Sequence, residues 1–143
     1  MKKTLLNGLV VLSTISCMVA PMVIYAQSKD ISKITMKHCM VDGKDNGRTY
    51  TLEKGSASFD GEIKAVAKDA RLKEPKCRVG LVLRDDWGRF KGSFEVNPKS
   101  LDKWEDFSGD FGDIKEGSGY YLELYRGNDD GTTIYVDGSI EID

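Results

Sequence analysis

The residues best suited to chemistry lie in one short segment, Asp85-Asp86-Trp87-Gly88-Arg89. An indole ring offers a flat apolar surface on which the C–H face of a sugar can stack, and the flanking carboxylates and guanidinium can exchange hydrogen bonds with hydroxyl groups. Because alternating apolar segments flank these residues and Gly88 can adopt a positive φ, the sequence predicts a β-hairpin tip. The pattern favours a ligand site at Trp87, Asp85, Asp86 and Arg89. The alternative is a tryptophan that folds back onto its own sheet.

A second candidate surface consists of tyrosines in the last two predicted strands. Tyr121 and Tyr125 share a strand face with Glu123, and Tyr135 lies on the polar face of the final strand. An aromatic–carboxylate strip across two neighbouring strands could line a ligand groove, although cross-strand aromatic packing explains it equally well.

Catalytic groups are harder to find. His38 is the only histidine and precedes Cys39, but adjacent strand residues point to opposite faces, so these two side chains should diverge. The 23 acidic residues make chance carboxylate pairs inevitable, and nothing in their spacing selects a pair for glycoside hydrolysis. We therefore expect a protein that is not an enzyme, with a small secreted hydrolase as the less favoured alternative.

The first 26 residues have the pattern of a secretory signal peptide. Lys2 and Lys3 precede an uncharged segment that ends at Ala26, a small residue suited to a cleavage site before Gln27. Cleavage would leave residues 27–143 as a single domain outside the cell. One alternative is a bacterial lipoprotein cleaved before Cys17 and tethered by lipid, and another is an uncleaved anchor.

The cysteine content predicts a disulfide bond, and the charge limits the classes of partner that we expect. Cys39 and Cys77 would remain after cleavage, and in an oxidising compartment such a pair predicts one disulfide, although two free thiols are the alternative. The net charge is −2 and no basic run occurs, so nucleic acid is not an expected partner. No second hydrophobic span follows the leader, and we expect no membrane span after cleavage.

The rest of the chain is dominated by period-two alternation, which indicates strands with one buried face. The clearest cases are Ala57 to Lys68 and Thr132 to Ile142, while Ile31 to Val41 predicts the first strand. A single helical turn is possible in the polar loop from Asp69 to Lys76. About eight strands separated by turn signals predict an all-β, antiparallel β-sandwich.

The C-terminal half resembles the closing strands of galactose-binding-like jelly-roll domains, a group that includes many carbohydrate-binding modules. The resemblance covers roughly Ser56 to Asp143 and is carried by Trp104-x-x-Phe107-Ser108-Gly109-x-Phe111, Tyr121-Leu-Glu-Leu-Tyr125 and Ile134-Tyr-Val-Asp137-x-Ser139-Ile140. It implies a jelly-roll-like sandwich that binds carbohydrate without catalysis, and it implies that Trp104 belongs to the core. It also implies that Asp137 could bind a structural calcium ion. Calcium takes 6–8 oxygen ligands and the second acidic ligand has no counterpart in this sequence, so a solvated Asp137 is the alternative.

Two functions thus remain open at the level of sequence. The first is a secreted carbohydrate-binding domain whose partner is a glycan. The second is a secreted protein-interaction module, such as an inhibitor, an immunity factor or a cell-surface component. Beyond the calcium that the resemblance implies, we expect no cofactor.

Overall fold

The computed structural model describes residues 26–143, which form nine strands and no helix. The strands are β1 (Gln27–Met36), β2 (Met40–Asp42), β3 (Tyr50–Leu52), β4 (Gly55–Ala67), β5 (Val79–Arg84), β6 (Phe90–Val96), β7 (Trp104–Ile114), β8 (Gly117–Tyr125) and β9 (Thr132–Ile142). The predicted all-β antiparallel sandwich is confirmed. The predictions of a signal peptide and of lipid attachment at Cys17 fall outside the described residues.

The nine strands form two antiparallel sheets. The first sheet has the strand order β1-β9-β4-β7, and the second has the order β2-β8-β5-β6, with β3 also paired to β8. Strands β8 and β9 follow each other in the chain but belong to different sheets. Candidate residues on β8 and on β9 therefore lie in different sheets.

The core lies between the sheets and follows the alternation of the sequence. In β4 the buried residues are Ala57, Phe59, Ile63 and Ala65, with polar residues between them on the outer face. Strand β9 buries its aliphatic residues in the same way. The remaining core comes mainly from the central strands of the second sheet, with Val79, Leu81, Leu83, Leu122 and Leu124 fully or almost fully buried.

The first predicted strand is divided in the structure. β1 ends at Met36 in the first sheet and β2 begins at Met40 in the second, so residues 37–39 carry the chain across the sandwich. The buried guanidinium of Arg126 holds this crossing, because its Nε donates to the His38 carbonyl at 2.8 Å. The same side chain is paired with Asp129 at 3.1 Å and with Asp130 at 3.0 Å. A continuous strand was therefore the wrong prediction for residues 31–41.

The predicted disulfide between Cys39 and Cys77 is wrong in this structure, since these two residues are free thiols. Cys39 is exposed in the bend between β1 and β2, whereas Cys77 is buried in the core just before β5. Burial, together with the charge of the nearby Asp130 carboxylate, raises the pKa of the Cys77 thiol. A free cysteine behaves as a small hydrophobic residue, so Cys77 needs no covalent partner for its burial.

The polar loop of residues 69–76 contains one hydrogen-bonded turn, in which the Leu72 amide donates to the Asp69 carbonyl at 3.0 Å, and no helix. Among residues 26–143, no helix is long and apolar enough to cross a membrane.

Candidate functional site

Trp87 lies at the tip of the β5–β6 hairpin, as the sequence predicts, and 83% of it is exposed. It does not fold back onto the sheet. The tip is a tight turn in which the Gly88 amide donates to the Asp85 carbonyl at 2.9 Å and the Asp85 amide donates to the Arg89 carbonyl at 3.1 Å. Gly88 has a φ of 76°, a conformation that glycine adopts without steric cost. The turn therefore presents the indole to solvent.

The carboxylate of Asp85 fixes this turn from the inside. One oxygen accepts the backbone amides of Trp87 and Arg89, both at 3.0 Å. The other accepts Arg89 Nε at 2.8 Å and forms an ion pair with Lys91 Nζ at 3.0 Å. Burial opposes the charge of Asp85, but these bonds outweigh it and hold the pKa of the carboxyl well below its usual range. Asp85 thus stays ionised with both oxygens occupied.

The tip is also held from neighbouring loops. Lys44, in the turn after β2, donates to the Asp86 carbonyl and lies 3.2 Å from the Asp86 carboxylate. On the other side Asp86 packs directly against Gly119 of β8, where a Cβ would lie 2.6 Å from the Asp86 Cβ. Gly119 also has a φ of 80°. The hairpin tip is therefore attached to two other segments of the second sheet.

An open pocket of about 310 Å³ lies between this tip and the turn that joins β7 to β8. Tyr120 fixes the β7–β8 turn that forms one side of the pocket, because its buried hydroxyl donates to the Lys115 carbonyl at 2.6 Å. The pocket is lined by Asp85, Asp86, Trp87, Arg89, Lys91, Lys115, Glu116, Gly117, Ser118 and Tyr120. Charged and hydroxyl side chains dominate this wall, beside one large exposed ring.

The structure thus brings together four residues that the sequence singled out, but in two roles. Asp86, Trp87 and Arg89 are exposed at the pocket. Asp85 is buried beneath them, and its four donors leave no oxygen for a ligand. Its role is to position the tip, and this is a change from its predicted role as a ligand contact.

Tyr121 and Tyr125 lie on the outer face of the second sheet with Glu123, as predicted. Tyr121 is buried beside the hairpin tip, with Lys44 Nζ 6.0 Å from its ring centre. Tyr125 is partly exposed, and its ring lies on the bare backbone of Gly80. Glu123 pairs with Arg84 at 3.0 Å between the two rings. Neither tyrosine lines the pocket of Trp87.

Tyr135 lies apart from these residues, on the outer face of the first sheet, because β8 and β9 are not neighbours. The expected tyrosine strip across two neighbouring strands is therefore wrong. Trp104 is on the same face as Tyr135 and 38% exposed, so its predicted place in the core is also wrong. Lys33 Nζ lies 5.4 Å from the ring centre of Trp104 and 5.0 Å from that of Tyr135. Both rings thus pack with lysines on a surface remote from Trp87.

Asp137 is exposed on β9, opposite Glu62 of β4. Within residues 26–143 no three or more His, Cys, Asp or Glu side chains are grouped so that they could hold a metal ion. Calcium binding by Asp137 stays a prediction from the sequence resemblance.

The sequence did not single out Lys44, Lys91, Lys115, Glu116 or Ser118, which complete the site. Glu116 and Ser118 belong to the turn signal Glu116-Gly-Ser-Gly119, which Lys115 precedes, but a turn signal does not indicate which other loop lies beside it. Lys44 is 42 residues from Asp86, and no local pattern connects the two.

No protein-family model matches the sequence, and no curated protein matches it. Solved structures similar to this chain include TmCBM61 in complex with beta-1,4-galactotriose, at 10% identity over 82% of this chain and 88% of that one, with a TM-score of 0.47. The CBM36-1 domain of a multidomain xylanase from the hindgut metagenome of Trinervitermes trinervoides is 14% identical over 82% and 75% of the two chains, with a TM-score of 0.40.

A third similar structure is that of infectious bursal disease virus Gt strain, at 12% identity over 82% of this chain and 32% of that one, with a TM-score of 0.42. Two of these three similar structures are carbohydrate-binding modules, the group that the C-terminal half resembles in sequence, and the third is from a virus. Similarity at this level does not assign a ligand, because unrelated functions share such sandwiches.

Proposed function

We propose that this protein is a non-catalytic glycan-binding domain whose ligand stacks on Trp87. The observation that carries the proposal is an indole that is 83% exposed although its hairpin tip is fixed by Asp85. A large apolar side chain presented to water costs solvation free energy, and a ligand that covers it recovers that cost. The adjoining polar pocket supplies hydrogen-bonding groups beside the indole.

Rigidity is the second argument for this function. A ligand that binds a mobile loop must also order it, which reduces affinity. In this protein the tip is held by Asp85 from within, by Lys44 from the β2–β3 turn and by packing against Gly119. The backbone that carries the indole therefore needs no ordering when a sugar binds.

The two tryptophans provide a matched test. We expect Trp87→Ala to weaken binding to a soluble polysaccharide at least about tenfold, which corresponds to about 1.4 kcal/mol. Trp104→Ala should leave binding unchanged, because Trp104 lies on the outer face of the other sheet. Affinity electrophoresis in gels that contain a panel of neutral and acidic polysaccharides measures both. Equal retardation of the two variants would contradict the proposal.

The exposed apolar side chains of the hairpin favour a second candidate, a protein-interaction module. Phe90 is 60% exposed beside the tip and does not line the pocket. A protein partner would cover both Phe90 and Trp87, whereas a sugar in the pocket would contact Trp87 and not Phe90. Loss of partner capture by Phe90→Ala, with polysaccharide retardation absent in all variants, would favour this candidate.

The place of action that best suits either function is outside the cell, after removal of residues 1–26. The signal-peptide pattern that ends at Ala26 supports a mature chain that starts at Gln27. Mass spectrometry of the exported protein should give an N-terminus at Gln27. A diacylglyceryl-modified N-terminus at Cys17 would instead identify a lipoprotein.

A further inference from the structure

The charges that line the pocket of Trp87 are unequally available to a ligand. Asp85 has both oxygens occupied by protein donors, and Asp86 is paired with Lys44 from outside the pocket wall. Two of the three carboxylates are therefore already paired with cations of the protein before any ligand arrives. Glu116 is the third, and it makes no ion pair with a described residue.

The cations of the pocket keep most of their hydrogen-bonding capacity. Arg89 uses only Nε toward Asp85, and its side chain is 68% exposed, so both terminal nitrogens of the guanidinium are available. Lys91 makes one contact, to Asp85. Lys115 is exposed and makes no ion pair with a residue of the described chain.

Asp85 therefore holds Arg89 and Lys91 beside the pocket, while its own buried carboxylate does not face the ligand. Its bond to Nε fixes the plane of the Arg89 guanidinium beside Trp87, and a guanidinium fixed at Nε presents its outer N–H groups as a fork. Such a fork binds a carboxylate or another planar oxyanion through two parallel, charge-assisted hydrogen bonds. Lys115 faces the same space from the opposite turn.

We propose that the pocket beside Trp87 selects an acidic sugar, whose ring stacks on the indole while its anionic group is bound by Arg89 and Lys115. This inference rests on the proposed glycan-binding function and specifies its ligand class. A uronate carboxylate and a sulfate ester share the required chemistry. Ser118 and Glu116 remain for the sugar hydroxyls.

The test compares polysaccharides that differ only in charge. Polygalacturonate is paired with its fully methyl-esterified form, and dextran sulfate with dextran. We expect at least one acidic member to bind about tenfold more tightly than its neutral partner. Raising the ionic strength from about 0.01 M to about 0.15 M should reduce that preference, because the screening length falls from about 30 Å to about 8 Å. The pair that shows the preference identifies a uronate or a sulfate as the anionic group.

Lys115→Gln is the informative variant, because the Lys115 side chain makes no hydrogen bond or ion pair with a described residue and only its carbonyl is used by Tyr120. We expect it to lose most of the preference for the acidic polymer and to keep neutral binding. Lys103→Gln, an exposed lysine outside the pocket, is the matched control and should behave as wild type.

The possible failures are distinguishable. Binding of neutral and acidic polymers with equal affinity, abolished by Trp87→Ala, would overturn the acidic-sugar inference and leave the glycan-binding function in place. Acidic binding that survives both Trp87→Ala and Lys115→Gln would also overturn it, since that binding would be non-specific. Failure of every polysaccharide to bind would overturn both proposals.

Discussion

At the scale of single residues, the buried Asp85 determines where Trp87 is presented. We expect Asp85→Asn to weaken glycan binding and to lower the Tm by several degrees, because an amide cannot replace a charge that accepts four donors. Thermal unfolding followed by circular dichroism measures the stability. Asp110→Asn, at an exposed position on β7, is the control and should leave the Tm unchanged.

The pH dependence of this effect has a definite sign. The pKa of Asp85 is lower in the folded protein than in the unfolded chain, where a value of about 3.9 is expected. Its contribution to stability is therefore present above about pH 4 and is lost as the pH falls further. The difference in Tm between wild type and Asp85→Asn should shrink as the pH falls from about 5 to about 2. A difference that stays constant over this range would contradict the assignment.

The two described cysteines should differ in reactivity. Cys77 is buried and its pKa is raised, so little thiolate is available, whereas Cys39 is exposed. We expect iodoacetamide to modify Cys39 in the folded protein and Cys77 only after denaturation. Peptide mass spectrometry locates each modification, and a peptide that links the two cysteines through a disulfide would contradict the free thiols.

Residue-level predictions from sequence succeeded where the local pattern was sufficient. Turn residues between two alternating segments placed Trp87 at an exposed tip. The same reasoning could not separate the role of Asp85 from that of Asp86, because adjacent carboxylates look alike in sequence. Only the hydrogen bond from Arg89 and the ion pair with Lys91 distinguish the buried carboxylate of Asp85 from the exposed carboxylate of Asp86.

At the scale of elements, the start of β8 supports the hairpin tip through Gly119. A side chain at this position would be strained at a φ of 80° and would collide with Asp86. We expect Gly119→Ala to cost roughly 1–3 kcal/mol of unfolding free energy and to weaken binding through displacement of the tip. Gly127→Ala is a suitable control, since nothing lies within 4 Å of its added Cβ. Urea unfolding and polysaccharide affinity should both separate the two variants.

The inward and outward faces of β4 and β9 could be predicted because period-two alternation determines a face directly. The partner of a strand could not, since alternation carries no information about which sheet a strand joins. Tyr125 and Tyr135 are only ten positions apart, yet the loop between them passes from one sheet to the other. The expected tyrosine strip failed for this reason, although each tyrosine is on the outer face of its own sheet.

At the scale of the whole molecule, Arg126 connects the two segments in which the chain passes from one sheet to the other, the β1–β2 bend and the β8–β9 loop. Its side chain binds carbonyls of the β1–β2 bend, the Thr132 carbonyl and two aspartates of the β8–β9 loop. We expect Arg126→Leu to destabilise the fold by roughly 3–5 kcal/mol, because it leaves buried polar groups without their cation. Urea unfolding measures this loss.

An exposed ion pair in the same protein provides the comparison. Arg71 is 91% exposed and contacts Asp69 at 2.6 Å. Solvent screens such a pair, so Arg71→Leu should change the unfolding free energy little. Equal losses in the two variants would contradict a special role for Arg126.

The occupied carboxylate of Asp85 has a kinetic consequence. Since the turn around Trp87 is already closed by protein hydrogen bonds, no slow rearrangement has to precede capture of a ligand. Complex formation should then occur in a single step whose observed rate rises linearly with ligand concentration, without a plateau. The lifetime of the complex, and not the speed of its formation, would distinguish a good ligand from a poor one.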